Sequence, residues 1–382
     1  MKKIAILGAT DFQKQLVDKA NSLGFETHVF SWEGVDTIAR ESADYFYPIS
    51  IDLKDQVLAI CKEVGVDGIT SVASDFAVPT MNYIAEALGL PGNPMYSTEK
   101  CTNKTKMRQA LAQIGLRMPW FQDVAGEDEA QEFIKEGLQY PLILKPTDRS
   151  GSRNIVLVNS DKELLDALPE VIAASFEKRA LLEEYLPGQE YSCECITVDG
   201  EHHLLAITEK TTTGAPNFIE TGHREPARLA AAEIEEVRQT VFKALTGLGI
   251  VSGASHTEFK ILPDRSVGII EVAARMGGGC IGSDLVYLST GIDYLKLVLD
   301  TAVGNSPDFG VKRHPLQAFV KFILTEKDLQ IMENTLRDPH NILYRKSEIE
   351  MRKIGSVTDC ASRAGYYIYT RDTAPELTEL VR

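Results

Sequence analysis

The chain has 382 residues, 44% hydrophobic and 25% charged, with a formal net charge of −15 at pH 7, enough material for two or three domains around buried cores. Without a Lys/Arg block, this acidic balance argues against a nucleic-acid partner, because neutralising phosphates needs a basic surface. No apolar stretch approaches a membrane span, and the short apolar run in the opening MKKIAILGATDF stops at Asp11, too early for a secretory signal, so a soluble cytoplasmic protein is expected.

Ile4–Gly8 reads as a buried strand, followed by Phe12, Leu16, Ala20 and Leu23 at helical spacing up to Gly24. Strand Phe25–Phe30, a helix over Leu53–Val64, strand Gly68–Val72 and a helix carrying Val78, Met81, Ala85 and Leu88 continue the alternation, which predicts a parallel sheet with helices on its faces. The first turn, Gly8-Ala9-Thr10-Asp11-Phe12-Gln13, lacks the later glycines of the dinucleotide fingerprint and is not read as NAD-binding. Ser74 and Asp75 fall at a strand end, where open α/β sheets bind ligands; an N-cap for the next helix explains them equally well.

After the Pro91–Pro94 linker, Thr102–Ile114 is predicted as one helix with Met107, Leu111 and Ile114 inward and Lys104 off that face. Strands Tyr140–Pro146 and Asn154–Val158 enclose Asp148–Arg153. Small residues there let backbone N–H groups approach a phosphate, with Lys145 and Arg153 adding charge, although a polar hairpin loop has the same composition. Ser160–Glu163 is a capping-box sequence. A strand ending at Glu184, a turn at Pro187-Gly188 and a strand from Glu190 place acids that suit an adenine amino group and a ribose, or plain surface charge. Cys193 and Cys195 have no second Cys/His pair at zinc spacing, so the six cysteines are expected as reduced thiols. Thr211–Pro226 shows no periodicity and reads as a long irregular segment carrying Glu220, His223 and Arg224. Arg228–Leu248 and Asp293–Val303 read as helices, Leu316–Leu324 and Gly365–Thr370 as strands of a small C-terminal α/β unit, and Ala374–Leu380 as its closing helix.

The most informative stretch is His256–Gly279. Two alternating runs, His256–Leu262 and Val267–Val272, flank Pro263-Asp264-Arg265-Ser266, a β-hairpin pattern. A turn centred between Asp264 and Arg265 sets Glu258 opposite Glu271, with Phe259, Ile261, Ile270 and Val272 on the core side. Directly opposed like charges destabilise a sheet, so a positive group is expected between them. Two carboxylates suit Mg²⁺, which fills its remaining positions with water and phosphate oxygens; a solvent-facing acidic hairpin is the other reading.

In this order the segments resemble the ATP-grasp superfamily of carboxylate–amine ligases, closest in motif style to the L-amino-acid (dipeptide) ligases. The resemblance implies a mixed α/β and α+β ATP-grasp fold. It comprises a parallel-sheet pre-grasp domain at 1–95, a grasp domain at 96–305 with its ATP-binding part near 110–190, and a C-terminal lobe at 306–382. Glu258 and Glu271-Val272-Ala273-Ala274-Arg275 match the metal acid and the E-x-N-x-R segment, with Ala273 in place of the asparagine. Lys104 and Lys145 match the lysines on the α- and β-phosphates, Ser150-Gly151-Ser152 the loop over the triphosphate, Glu183-Glu184-Tyr185-Leu186 the adenine-edge segment, and Glu190 the ribose acid. Asp75, Glu220, His223, Arg275 and Gly278 are the implied substrate contacts, with Arg275 and His223 catalytic.

The resemblance further implies ATP and Mg²⁺, or Mn²⁺, as cofactors and a small-molecule carboxylate and amine as substrates, with a homodimer left open. The activity would be amide or peptide bond formation through an acyl-phosphate, releasing ADP and phosphate. The alternatives are activation of formate or bicarbonate on the same scaffold, as in purine-pathway enzymes or biotin carboxylases, and a non-catalytic ATP-binding module.

Overall fold

The computed structural model describes residues 1–34 and 36–372. Runs such as KIAIL lack a polar face, so they must be covered on both sides. β1 (Lys3–Leu7), β2 (Glu26–Phe30), β3 (Tyr45–Tyr47) and β4 (Gly68–Thr70) form a parallel sheet ordered β3-β2-β1-β4. Ile4 and Ile6 pack with Leu16 and Val17 of helix Asp11–Ser22, whereas Ala5 and Leu7 pack on the opposite face with Val57 and Ile84 of helices Lys54–Val64 and Val78–Leu88. This is the expected N-terminal unit, with β3 added.

The helix expected over Thr102–Ile114 is Lys104–Gln113, and a further helix, Met95–Thr102, precedes it. Asn103 between them is extended (φ −119°, ψ 116°), and its side chain accepts the Lys106 N–H at 2.9 Å, an N-cap that starts a new helix. The break places Lys104 at the first helical position and buries it.

β5 (Phe121–Val124), β6 (Leu142–Pro146), β7 (Val156–Val158) and β8 (Ala180–Glu184) make an antiparallel sheet ordered β5-β8-β6-β7. Helices Glu127–Glu136 and Asp161–Ala174 cover it through Ala130, Leu164, Leu168 and Val171. The Ser160 side chain accepts the Glu163 N–H at 3.3 Å, as the capping sequence requires.

The third sheet contains β9 (Gln189–Val198), β10 (Glu201–Thr212), β11 (Glu220–Glu225), β12 (Gly253–Ile261), β13 (Val267–Ala273), β14 (Leu316–Ile323), β15 (Ile342–Lys346) and β16 (Gly365–Asp372). Its order is β13-β12-β9-β10-β11-β14-β16-β15, antiparallel throughout. The C-terminal strands therefore extend the sheet of the central region. Helix Ala231–Leu248 packs Val237, Val241, Leu245 and Leu248 against it.

The reading of Thr211–Pro226 as irregular is corrected: β10 runs to Thr212 and β11 occupies Glu220–Glu225. β11 lies between β10 and β14, and its sequence, ETGHRE, has no apolar face because its buried positions are a glycine, a histidine and a glutamate, so the hydrophobic alternation that marks a strand is missing. The expected helix Ala374–Leu380 lies outside the described residues. All six cysteines are free thiols, and among the described residues no helix is long and apolar enough to cross a membrane.

Candidate active site

The hairpin places Glu258 opposite Glu271, as expected, but by a different route. From the turn outward Ile261 pairs with Val267, Lys260 with Gly268 and Phe259 with Ile269; the register then slips by one, and Glu258 faces Glu271. The extra residue of this β-bulge is Ile270. Ile269 therefore enters the core (0% exposed) in place of Ile270, which joins Glu271 on the cleft side. Ile261 is only half-buried. The positive groups that offset the opposed acids are lysines: Lys104 Nζ lies 2.7 Å from Glu271 Oε1 and Lys210 Nζ 2.6 Å from Glu258 Oε1. Electrostatic balance at the pair is thus met by the chain itself.

Glu258 and Glu271 line a cleft of about 380 Å³ bordered by the second and third sheets and, from the N-terminal unit, by Phe12, Ala73 and Asp75, with Lys145 and Lys210 also in its lining. Lys104 also donates to the Arg149 carbonyl at 2.8 Å. Burial alone would lower its pKa, but the Glu271 carboxylate outweighs that and raises it. Lys145 is paired with Glu183 at 2.6 Å, and Glu183 also accepts from Arg108 Nε at 2.6 Å. Burial lowers the Lys145 pKa despite Glu183, whereas Glu183 is held low because its two cations outweigh its own desolvation. Glu183 is consequently a counter-ion to Arg108 and Lys145. Glu184, Tyr185 and Leu186 all line the cleft; the Glu184 side chain is paired with Arg117 at 2.6 Å, and the Leu186 carbonyl accepts from Lys260 Nζ at 2.9 Å, with that ammonium over the Tyr185 ring.

Lys210, on β10 of the same sheet as Glu258, is a hub of ion pairs. Its ammonium reaches Glu190 at 3.0 Å, Glu220 at 2.9 Å and Glu258 at 2.6 Å. Three carboxylates override its burial and raise its pKa well above the usual lysine range. Glu220 is also within 3.4 Å of Arg363 and lies well below the usual carboxylate range, its desolvation outweighed by Lys210. His223 is not brought into the cleft. It sits on β11 behind Gly279, edge-on to Phe322 and 3.6 Å from Glu220, and burial lowers its pKa. It reaches the cleft only through Glu220, because alternation on a strand sends neighbouring side chains to different surroundings.

Arg275 and Asp75 form a two-pronged ion pair, Nε to Oδ1 at 2.9 Å and the terminal nitrogen to Oδ2 at 3.0 Å. Desolvation of Asp75 is outweighed by Arg275, which holds it below the carboxylate range. Gly278 faces Ala73 beside them. Ser150, Gly151 and Ser152 also line the cleft; the Gly151 carbonyl accepts the Cys360 N–H at 3.4 Å and the Ser152 hydroxyl donates to the Phe218 carbonyl at 3.3 Å. The glycine loop thus rests on segments of the third sheet's region.

Sequence reasoning missed Arg108, Lys210, His256 and Lys260 as site residues. Two were legible: His256 and Lys260 share strand parity with Glu258, and all three line the cleft. Arg108 follows Lys104 by one helical turn. Nothing in TEKTTT distinguishes Lys210. Burial opposes the charged form of His256, but Glu194 and Glu258 outweigh it, and its pKa is pushed up to about 9.

Glu258 and Glu271 are the two carboxylates the hairpin presents to the cleft. Ala273, on the same side, offers no donor atom, and among the described residues no group of three or more His, Cys, Asp or Glu side chains is placed to hold a metal. Such a site suits an ion that completes its shell with phosphate oxygens and water.

Residues 138–284 match the ATP-grasp domain family. The chain is similar to the alanine–anticapsin ligase of Bacillus subtilis, 28% identical over 319 residues covering 78% of this chain and 64% of that protein; the chain spans a little under two thirds of the relative's length. Among solved structures, an L-amino acid ligase from Bacillus licheniformis superimposes with a TM-score of 0.77 at 24% identity over 100% of this chain and 96% of its own. An N5-carboxyaminoimidazole synthetase from Staphylococcus aureus complexed with ADP gives 0.76 at 18%, over 99% and 95%. At these identities the superpositions establish the fold, and they establish it equally for both chemistries.

Proposed function

We propose that the protein is an ATP-dependent carboxylate–amine ligase that forms an amide or peptide bond through an acyl-phosphate and releases ADP and phosphate. The observation that carries this reading is the convergence of Lys104, Lys145, Glu258, Glu271 and Arg275 on one cleft, supported by the similarity to the alanine–anticapsin ligase. In it Lys104 and Lys145 meet the nucleotide phosphates, Ser150–Ser152 covers them, Tyr185 and Leu186 border the base, and Glu190 takes the ribose. Mg²⁺, or Mn²⁺ in its place, held by Glu258 and Glu271, would neutralise charge on the β- and γ-phosphate oxygens.

Every one of these cations already has an acid partner, so ligand binding is an exchange of partners and needs no uncovering of bare charge. The carboxylate substrate is placed beside Arg275, Asp75 and Gly278, with Glu220 opposite. Arg275, four residues past Glu271, is placed to brace the transferring phosphoryl group or the tetrahedral oxyanion, as a fixed cation does. Among the described residues the Cys360 thiol donates to Glu220 at 3.8 Å in the cleft, but burial raises its pKa and disfavours the thiolate, so attack of the substrate carboxylate on the γ-phosphate needs the fewest further groups.

ADP release screened over a matrix of carboxylates and amino acids tests the proposal. ADP formation that requires one acid and one amine together supports it. ADP formation with bicarbonate or formate and no amino acid would move the protein to the runner-up chemistry, and ATP binding without turnover on any pair would leave a binding module.

A further inference from the structure

Beneath the metal-acid hairpin lies a carboxylate for which the proposed chemistry has no use. Glu194, on β9, is 0% exposed and is the register partner of His256 on β12. Its Oε1 meets His256 Nδ1, and its Oε2 accepts the Gly277 N–H at 2.9 Å. The other ring nitrogen of His256 faces Glu258 Oε1 at 3.3 Å. A buried acid is costly unless its oxygens are satisfied, and apolar residues of similar volume generally fill such a position at no loss of stability, so core packing alone gives no reason for it.

Gly277 is matched to the same pair. No positive φ demands glycine there, but a Cβ would collide with Glu194 Oε1 and lie 2.7 Å from His256 Nδ1. The turn holding Gly277 follows Arg275 directly, and the neighbouring Met276 carbonyl accepts the Ala73 N–H at 3.1 Å, beside the Asp75 that clamps Arg275. One continuous set of contacts therefore runs from Glu258 through His256 and Glu194 to the segment carrying Arg275.

We infer that Glu194 and His256 are positioning residues that fix the Glu258 carboxylate and the Arg275–Gly277 turn as one unit, so that the metal acid and the phosphate-bracing arginine keep a common geometry. This rests on the proposed reading of Glu258 as a metal ligand. Lys210 and His256 reach the same oxygen, Oε1, so a divalent cation would be met by Oε2, and partners behind a metal ligand commonly set affinity by about 10–100-fold.

The test is Mn²⁺ binding in the presence of ADP, followed by water-proton relaxation on the full chain without turnover. His256→Asn retains an amide N–H where Nδ1 meets Glu194 but cannot reach Glu258. Mn²⁺ affinity is expected to fall about tenfold or more, with the melting temperature and metal-free ADP affinity retained. Should that variant not fold, Glu194→Gln decides by the same readout. A folded variant with wild-type Mn²⁺ affinity overturns the inference, as does loss of folding in both, which would make the pair structural. Failure of the wild-type protein itself to bind Mn²⁺ with ADP would instead overturn the metal reading on which it rests.

Discussion

Glu220 and Glu225 stand at the two ends of β11, one in the cleft and one in the core, and their surroundings drive them in opposite directions. Lys210 and Arg363 face Glu220 and hold it ionised. Glu225 accepts from the hydroxyls of Thr208 and Ser289, at 2.5 and 2.9 Å, with no cation paired to it among the described residues, and burial pushes its pKa up to about 8. A buried carboxylate therefore carries no functional meaning by itself; its partner decides. Acids set against cations recur throughout the cleft, as Lys104–Glu271, Lys145–Glu183 and Lys210 with its three carboxylates. In the proposed reading those partners are exchanged for phosphate and metal, whereas the Glu225 site is a closed, neutral hydrogen-bonded group.

The sharpest way to break this comparison is at Glu271. Glu271→Gln keeps the shape and removes a metal charge, and kcat is expected to fall by about 10²–10³-fold, the scale for one preorganised electrostatic contact, with the circular dichroism spectrum unchanged. Normal turnover at limiting Mg²⁺ would remove Glu271 from the metal site. Lys145→Ala should weaken ATP binding by about 1.5–3 kcal/mol, the range for a hydrogen bond to a charged group, read by calorimetry. Unchanged affinity in a folded variant would make Lys145 only a partner of Glu183.

At the core end the expectation concerns stability. The folded-state pKa of Glu225 is raised above its ordinary 4.5, so its protonated form contributes stability that is fully present below about pH 4.5 and is lost as the pH rises toward 8. Glu225→Gln removes that loss. The difference in unfolding free energy between variant and wild type should grow with pH across this window, by at most about 1.4 kcal/mol per pH unit. A pH-independent difference would show that the acid is paired after all. The smallest effect belongs to Glu184, whose exposed pair with Arg117 is worth roughly 0–1 kcal/mol. Glu184→Gln should leave ATP affinity near wild type, and a marked loss would return its side chain to the nucleotide site.

How legible these features were depended on whether a period carried them. The acid pair was legible because strand alternation and a turn fix which residues oppose, and a bulge at Ile270 compensated for a turn centred half a residue away from the symmetric position. The N-terminal sheet was legible from its apolar runs. β11 was not, because a strand of polar residues at a cleft has no hydrophobic alternation to read. Lys210 was invisible for a related reason: its importance comes from three acids on other strands, at sequence separations that local pattern cannot join. Asn103, by contrast, is an ordinary N-cap in a polar stretch, residues 97–106, where no apolar period marks a helix end.

The claim that the cleft activates a carboxylate by direct phosphorylation is tested most directly by isotope transfer. With an acid substrate labelled by ¹⁸O in its carboxylate and its amine partner present, one label should appear in the released inorganic phosphate, with ADP as the nucleotide product. AMP and pyrophosphate, or unlabelled phosphate during genuine coupling, would contradict it.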